Sequence, residues 1–237
     1  VSYEKRKLKY EDVYPVLYLK YRLQSQQGRS NIKHLVVDEM QDYSYLQYTI
    51  LANLFSCKMT ILGDRAQTMD VRQQDVLKFL PRILGRDLHK IEMNKSYRNT
   101  MEIARYAEKL TGVKDVELLK RHGKEVVEEQ FQTEDAVLDE ILSKAKLGED
   151  EYETAAIITM TEAEASTLYQ ILKARGEEVH YIDRNSSVFK KGLTVTTFYL
   201  AKGLEFDQVF GVFQDAGNPM LNQAKYICAT RALHELY

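Results

Sequence analysis

Short, almost wholly apolar runs alternating with amphipathic segments constrain this chain more than any other feature. TAAIITM at 154–160 leaves no face for water. A strand of that kind is buried on both sides, which in practice means a parallel sheet with helices over each face. HLVVDE (34–39) and KMTILGD (58–64) repeat the signature, and EVHYI, LTVTTF and DQVFGVF carry it further along the chain. HKIEM (89–93) and EVVEEQF (125–131) read as additional strands or ribbons. Helical spacing predicts helices over 11–26, 44–56, 73–80, 100–110, 134–147, 162–175 and 221–235, with Pro15 in a first turn and Gly112 and Gly176 as stops. The expected fold is therefore α/β, a parallel sheet with helices on both faces. The break PRILGRDLHKIE (81–92) divides it into domains 1–88 and 89–237.

Charge and cysteine content narrow the classes. Lys plus Arg is 33 and Asp plus Glu is 35, a net charge of −2 over 237 residues. That excludes a strongly basic nucleic-acid coat and leaves room for a local basic groove. Two cysteines, Cys57 and Cys228, build no disulfide scaffold and fit a reducing, cytoplasmic setting. The sequence shows no signal-peptide pattern and no apolar run long enough to cross a membrane. It starts at Val1 and stops at HELY inside a pattern able to continue, as expected of a piece of a longer protein.

Chemistry concentrates at strand ends. In VVDEMQD (36–42), Asp38 and Glu39 follow a buried strand, where α/β folds place ligand chemistry. An acid there can hold Mg²⁺, and a neighbouring carboxylate can orient and deprotonate a water attacking a γ-phosphate. The plainer reading is loop solvation, with Gln41 and Asp42 capping the next helix. ILGDRAQ (61–67) repeats the arrangement with Gly-Asp and then Gln67, whose amide can sense a phosphate or the attacking water. NKSYRNTMEI (94–103) puts Arg98 before a helix that Asn99 or Thr100 can cap. A guanidinium suits phosphate, although a surface ion pair is the plainer reading. Tyr97 can stack on a base or fill core. AKGLEFDQVF (201–210) places Gly203 and Glu205 ahead of a strand, Gly203 allowing close backbone approach and Glu205 available to a ribose or a metal network. CATRALHEL (228–236) puts Arg231 on a helix.

DEMQD, GDRAQ, SYRNTMEI, VTTFYLAKGLEFDQVF and YICATRALHEL occur in one order. Together they resemble motifs II to VI of superfamily 1 helicases of the UvrD/Rep/PcrA type, over nearly the whole chain. The compact spacing and the front block KYEDVYPVLYLKYRL resemble the HelD-like branch, often described as DNA helicase IV-like. The resemblance implies a P-loop NTPase of RecA-like fold: the C-terminal part of one RecA-like domain and most of a second. It implies that Asp38 associates with Mg²⁺ and that Glu39 is the general base. Gln67 would couple the γ-phosphate to the nucleic-acid site, and Arg98 and Arg231 would act as arginine fingers. Tyr97 would lie near adenine, Gly203 and Glu205 near ribose and phosphates, and Thr196 and Thr197 at a nucleic-acid backbone. ATP with Mg²⁺ and single-stranded DNA would be the ligands.

Three departures qualify that picture. The sequence contains no GxxxxGK[ST], so the phosphate-cradling loop is expected in the missing N-terminal part of the same protein. TMDVRQQD follows GDRAQ where the family carries an aromatic stretch, and the chain has no Trp. Tyr199 and Leu200 stand where UvrD-like proteins usually have His and Ser. Three functions follow: an ATP-driven DNA helicase or translocase, a HelD-like factor that uses ATP to release RNA polymerase, or a degenerate scaffold. Retention of all the γ-phosphate-facing residues argues against the last.

Overall fold

A computed structural model describes residues 7–24, 31–68, 75–85, 88–93, 95–112, 117–118, 120–148, 152–186, 188–214 and 217–237. Residues 69–74 of TMDVRQQD, residues 25–26 of the first expected helix and Asn94 lie outside them. The chain divides into two compact units, Val1–Ile91 and Glu92–Tyr237.

The first unit contains α1 (Tyr10–Leu23), β1 (His34–Val37), α2 (Tyr45–Leu54), β2 (Lys58–Ile61) and α3 (Val76–Leu84). β1 and β2 pair in parallel, with His34 opposite Lys58 and Val37 opposite Ile61. Val37, Tyr48, Val76 and Leu80 make the small core. α2 starts with a reciprocal cap, in which Ser44 accepts from the Gln47 N–H while the Gln47 side chain accepts from the Ser44 N–H. That cap takes the role expected of Gln41 and Asp42 and releases both for other work. Pro15 lies in the second turn of α1, not the first. α3 runs through Pro81, read as the start of a connection, and ends at Gly85 in a left-handed conformation. Proline inside a helix costs roughly 3 kcal/mol. Burying each large apolar side chain returns roughly 1.5–3 kcal/mol, and Ile83 and Leu84 both pack on the core beyond that point.

The second unit contains β3 (Lys95–Ser96), α4 (Met101–Thr111), β4 (Glu117–Leu118), α5 (Glu134–Lys144), β5 (Thr154–Thr159), α6 (Glu162–Ala174), β6 (Val179–Tyr181), β7 (Gly192–Thr197), β8 (Phe206–Val212), α7 (Leu221–Arg231) and β9 (Ala232–Leu236). β5 to β9 form a five-stranded sheet in the order β6-β7-β5-β8-β9, and every pairing in it is parallel. β5, the TAAIITM strand, is central and buried at every position. Ala155 and Ile157 join Leu193, Val195 and Phe210 against α5 and α6. Alternation turns Ala156 and Ile158 to the opposite face. α7 packs on that face, its Cys228 sulfur lying beside Gly211 of β8, and α4 packs against α7.

Three expectations are corrected. HKIEM forms no strand; Ile91 and Met93 are exposed, and the nearest strand is Lys95–Ser96. EVVEEQF forms no strand either. Its glutamates serve as side-chain anchors, Glu128 accepting from Lys225 and Tyr106, and Glu129 from Lys144. The last helix stops at Arg231, and Ala232–Leu236 continues without a break as β9 along β8.

β9 is locked by Glu235. This buried carboxylate accepts from Lys146 at 2.7 Å, from Tyr237 at 2.7 Å, from Gln208 at 2.8 Å and from Lys124 at 3.4 Å. Burial favours the neutral acid, but those donors prevail and hold its pKa down at about 2. Folded Glu235 therefore binds its proton less tightly than the unfolded chain does. Its stabilisation is complete above the ordinary carboxylate value of 4.5 and is lost as pH falls through about 2. Thermal melts between pH 7 and pH 2.5 are expected to show this loss, and Glu235→Gln to flatten it while lowering Tm at neutral pH. An unaltered acid limb in the variant refutes the assignment.

Candidate functional site

Beyond β1 and β2, backbone bonds knit the two strand ends together: Leu62 N–H donates to the Val37 carbonyl and Met40 N–H to the Leu62 carbonyl, each at 2.8 Å. Buried Tyr48 donates its hydroxyl to the Met40 carbonyl at 3.1 Å, and burial raises its phenol pKa. Asp38 and Glu39 emerge from this scaffold. Asp38 accepts from the Glu39 N–H at 2.8 Å and stays exposed. Glu39 has φ of 51°, the one non-glycine with positive φ among the described residues. Left-handed backbone at a non-glycine residue costs roughly 1–3 kcal/mol and clusters at functional sites.

A polar chain leads from Glu39 to Gln67. The Gln41 amide nitrogen donates to the Glu39 carboxylate, and its oxygen accepts from the Asp64 N–H at 3.1 Å. Asp64 accepts from the Ala66 N–H at 2.9 Å and from the Gln67 amide at 3.0 Å. Gln41 and Gln67 are both buried. Gly63 makes room for this chain, since a Cβ there would meet Gln41 Oε1 at 2.4 Å and Met40 at 2.5 Å. The structure thus brings Glu39 and Gln67 into one network. Gln41 and Asp64 carry it, yet each reads in sequence as an ordinary cap; the signal was their repetition after two successive strands.

Among the described residues, no group of three or more His, Cys, Asp and Glu side chains gathers to hold a metal. Exposed Asp38 fits the usual Mg²⁺ arrangement, in which one or two carboxylates bind the ion and phosphates and water complete its shell.

In the second unit, the expected residues gather at the end of the sheet where β8 and β9 begin. Arg98 Nε donates to Glu205 at 2.8 Å, both side chains being nearly half exposed, and its Nη1 lies 3.4 Å from the Thr230 carbonyl. Arg231 is 3% exposed. It donates to the Leu204 carbonyl and to the Thr230 hydroxyl, each at 3.3 Å. Two guanidinium groups thus share a neighbourhood whose carboxylate is Glu205, a balance suited to an anion. Gly203, with φ of 78°, makes the turn leading to Glu205. Tyr97 is 65% exposed beside this group.

Asn99 is the residue that sequence reasoning missed. Thr100, not Asn99, caps α4. The Asn99 amide donates to the Ala229 carbonyl at 2.9 Å and also to that of Ala232. It thereby clamps the helix-to-strand junction that carries Thr230 and Arg231. Behind it, Met101 N–H donates to the Arg121 carbonyl at 2.8 Å, and buried Glu102 accepts from His122 at 2.9 Å and from Gly123 N–H at 2.7 Å.

Thr196 and Thr197 stand at the opposite end of the sheet, Thr197 opposite Thr159 at the close of β5. Both are buried. Thr196 donates to the Ile182 carbonyl at 3.1 Å, and the Thr197 hydroxyl has no partner. Neither hydroxyl is open to a nucleic-acid backbone in this conformation.

A family model described as the UvrD/REP helicase N-terminal domain matches residues 8–69. Among solved structures, the chain is similar to the C-terminal domain of a possible DNA helicase from Lactobacillus plantarum WCFS1. The identity is 31%, over 60% of this chain and 84% of that one, with a TM-score of 0.42. A second similar structure is the PRRSV helicase, at 17% identity over 88% of this chain and 35% of that one, with a TM-score of 0.49. No curated protein matches the chain. Among the described residues, no helix is long and apolar enough to cross a membrane. The matched segment holds Asp38, Glu39 and Gln67, so that this part of the chain is similar to the UvrD/REP helicase N-terminal domain.

Proposed function

We propose that this chain is the C-terminal portion of an ATP-dependent superfamily 1 helicase or translocase of RecA-like fold, acting with a phosphate-binding loop supplied from outside these residues. The observation that carries the reading is the hydrogen-bonded chain Glu39–Gln41–Asp64–Gln67. In it the Gln41 amide fixes the Glu39 carboxylate, so that Glu39 can accept a proton from the water attacking the γ-phosphate. Gln67 exchanges its bond to Asp64 for one to a phosphate oxygen, which makes the network sensitive to the state of the nucleotide. Asp38 would hold Mg²⁺, which would supply positive charge against the phosphate oxygens. Arg98 and Arg231 stabilise the transferring phosphoryl group, Glu205 holds the ribose, and Tyr97 stacks near the adenine. Single-stranded DNA is the proposed track.

Tyr199 favours a second reading within the same family. Its hydroxyl donates to Glu162 at 2.9 Å, and Glu162 also pairs with Arg184 at 2.6 Å. The residue standing where the family usually has His is thus engaged inside the unit. With Thr196 and Thr197 buried, this supports a HelD-like protein that spends ATP on releasing RNA polymerase.

The deciding measurement is ATP turnover by the protein carrying its phosphate loop, alone, with single-stranded DNA and with RNA polymerase. Stimulation by DNA supports the motor, and stimulation by polymerase supports the release factor. Turnover indifferent to both refutes both. In that protein, Glu39→Gln is expected to keep nucleotide affinity while cutting kcat at least about 100-fold, the scale of a general base. Arg231→Ala is expected to cut kcat by about 1,000-fold, the lower range for an arginine finger. Near-normal turnover by either variant removes that residue from its role. The 237-residue chain by itself is expected to turn over ATP negligibly, because it carries no GxxxxGK[ST] loop.

A further inference from the structure

Arg231 ends α7, and Ala232 opens β9 with no loop between them. The backbone is pinned on each side of Thr230 and Arg231. The Asn99 amide holds the carbonyls of Ala229 and Ala232, and the Ala232 N–H donates back to the carbonyls of Cys228 and Ala229. On a regular helix, adjacent side chains point away from each other. At this junction the chain leaves the helix, and the two side chains meet. Nε and Nη2 of Arg231 both lie 3.3 Å from the Thr230 hydroxyl oxygen. Its Nη1 lies 3.3 Å from the Leu204 carbonyl, on a different segment.

The Thr230 hydroxyl has a defined polarity. It donates its proton to the Ile227 carbonyl at 2.9 Å, one turn back in α7. A hydroxyl has one proton and two lone pairs, so both lone pairs are left to accept from the guanidinium. A guanidinium is planar and rigid. Two of its nitrogens directed at one oxygen, and the third at a carbonyl from another segment, fix its plane as well as its position. The Thr230 carbonyl lies 3.4 Å from Arg98 Nη1, so the same residue touches both arginines.

We propose that Thr230 is a positioning residue, whose hydroxyl sets the orientation of the Arg231 guanidinium toward a transferring phosphoryl group. The inference rests on Arg231 acting as an arginine finger and adds the side chain through which that finger is directed. A charge that is oriented in advance stabilises the transition state without reorganising during the reaction. The Thr230 contacts are long and their oxygen is neutral, so they are weaker than charge-assisted bonds to a phosphate oxygen. They hold the guanidinium in register and do not outbid the phosphate for it.

The test is a double-mutant cycle on ATP turnover by the protein carrying its phosphate loop. Thr230→Val keeps the branched shape and removes the hydroxyl. It is expected to cut kcat by about 100-fold, the scale of a misplacement of about 1 Å, with KM for ATP unchanged. Thr230→Ala is a second hydroxyl-free variant and must agree with it, whereas Thr230→Ser is expected to recover most of the loss. In an Arg231→Ala background, Thr230→Val is expected to cost nothing further, because a residue acting through Arg231 has nothing left to position. A threonine that served the fold alone would lower both backgrounds equally, and that result overturns the proposal. Full turnover by Thr230→Val beside an impaired Arg231→Ala also overturns it and leaves the finger standing. Full turnover by Arg231→Ala overturns the finger and the proposal together. In the chain itself, the Arg231 Nε–H resonance is expected to shift and to exchange faster in Thr230→Val while circular dichroism is unchanged; an unmoved resonance overturns the contact.

Discussion

Burial of β5 on both faces is the constraint from which the second unit follows. A strand with no polar face needs a neighbour on each edge and a helical layer on each side, and the chain supplies both. β7 and β8 flank β5, α5 and α6 cover Ala155 and Ile157, and α7 covers the opposite side. Once β5 is central, its neighbours are parallel, and their termini sort into two ends. The residues suited to anions collect where β8 and β9 begin, whereas Thr196 and Thr197 end β7 at the far side. The placement of the chemistry is thus a consequence of sheet polarity and needs no separate device.

Sequence pattern revealed what depends on local burial. TAAIITM, LTVTTF and DQVFGVF are apolar enough to have one solution, and the structure makes each a strand. Failures came where tertiary partners decide. ALHEL continues the helical spacing of α7, but the Asn99 amide holds the carbonyls of Ala229 and Ala232, and Glu235 draws donors from Gln208 on β8, from Lys146 and from Lys124. No local periodicity reports partners more than a hundred residues away. EVVEEQF misled for the reverse reason: its apolar positions are few, and its glutamates matter through long-range pairs.

The site shows the same division. Asp38, Glu39, Gln67, Arg98, Glu205 and Arg231 were conspicuous in sequence because acids, arginines and a glutamine in a repeated pattern stand at strand and helix ends. Gln41 and Asn99 were not, since an amide before a helix reads as a cap. Their value lies in bridging two distant acceptors or donors, a role that appears only once β2 lies beside β1 and α7 beside α4. Both amides surround backbone of unusual demand: left-handed Glu39 in one unit, the helix-to-strand junction in the other. Strain or an abrupt change of direction persists only where neighbours over-determine it, and an amide that bridges two partners does that in a single side chain.

Sheet polarity also gives the segment 198–205 a particular position. It leaves the finishing end of β7 and enters the starting end of β8, passing the central strand on the way. It is not slack: Phe198 N–H donates to the Thr159 carbonyl, Ala201 N–H to Thr197, and Leu204 N–H to Ala201, at 2.9–3.0 Å. Phe198 and Ala201 are buried. At its far end the Leu204 carbonyl accepts from Arg231 and Glu205 pairs with Arg98. Both ends of the segment are therefore held, by the Phe198–Thr159 bond at the finishing end of the sheet and by the two arginines at its starting end. A sheet buried on both faces fixes the separation between them, so the crossover is an ordered part of the unit and positions Glu205 beside Arg98.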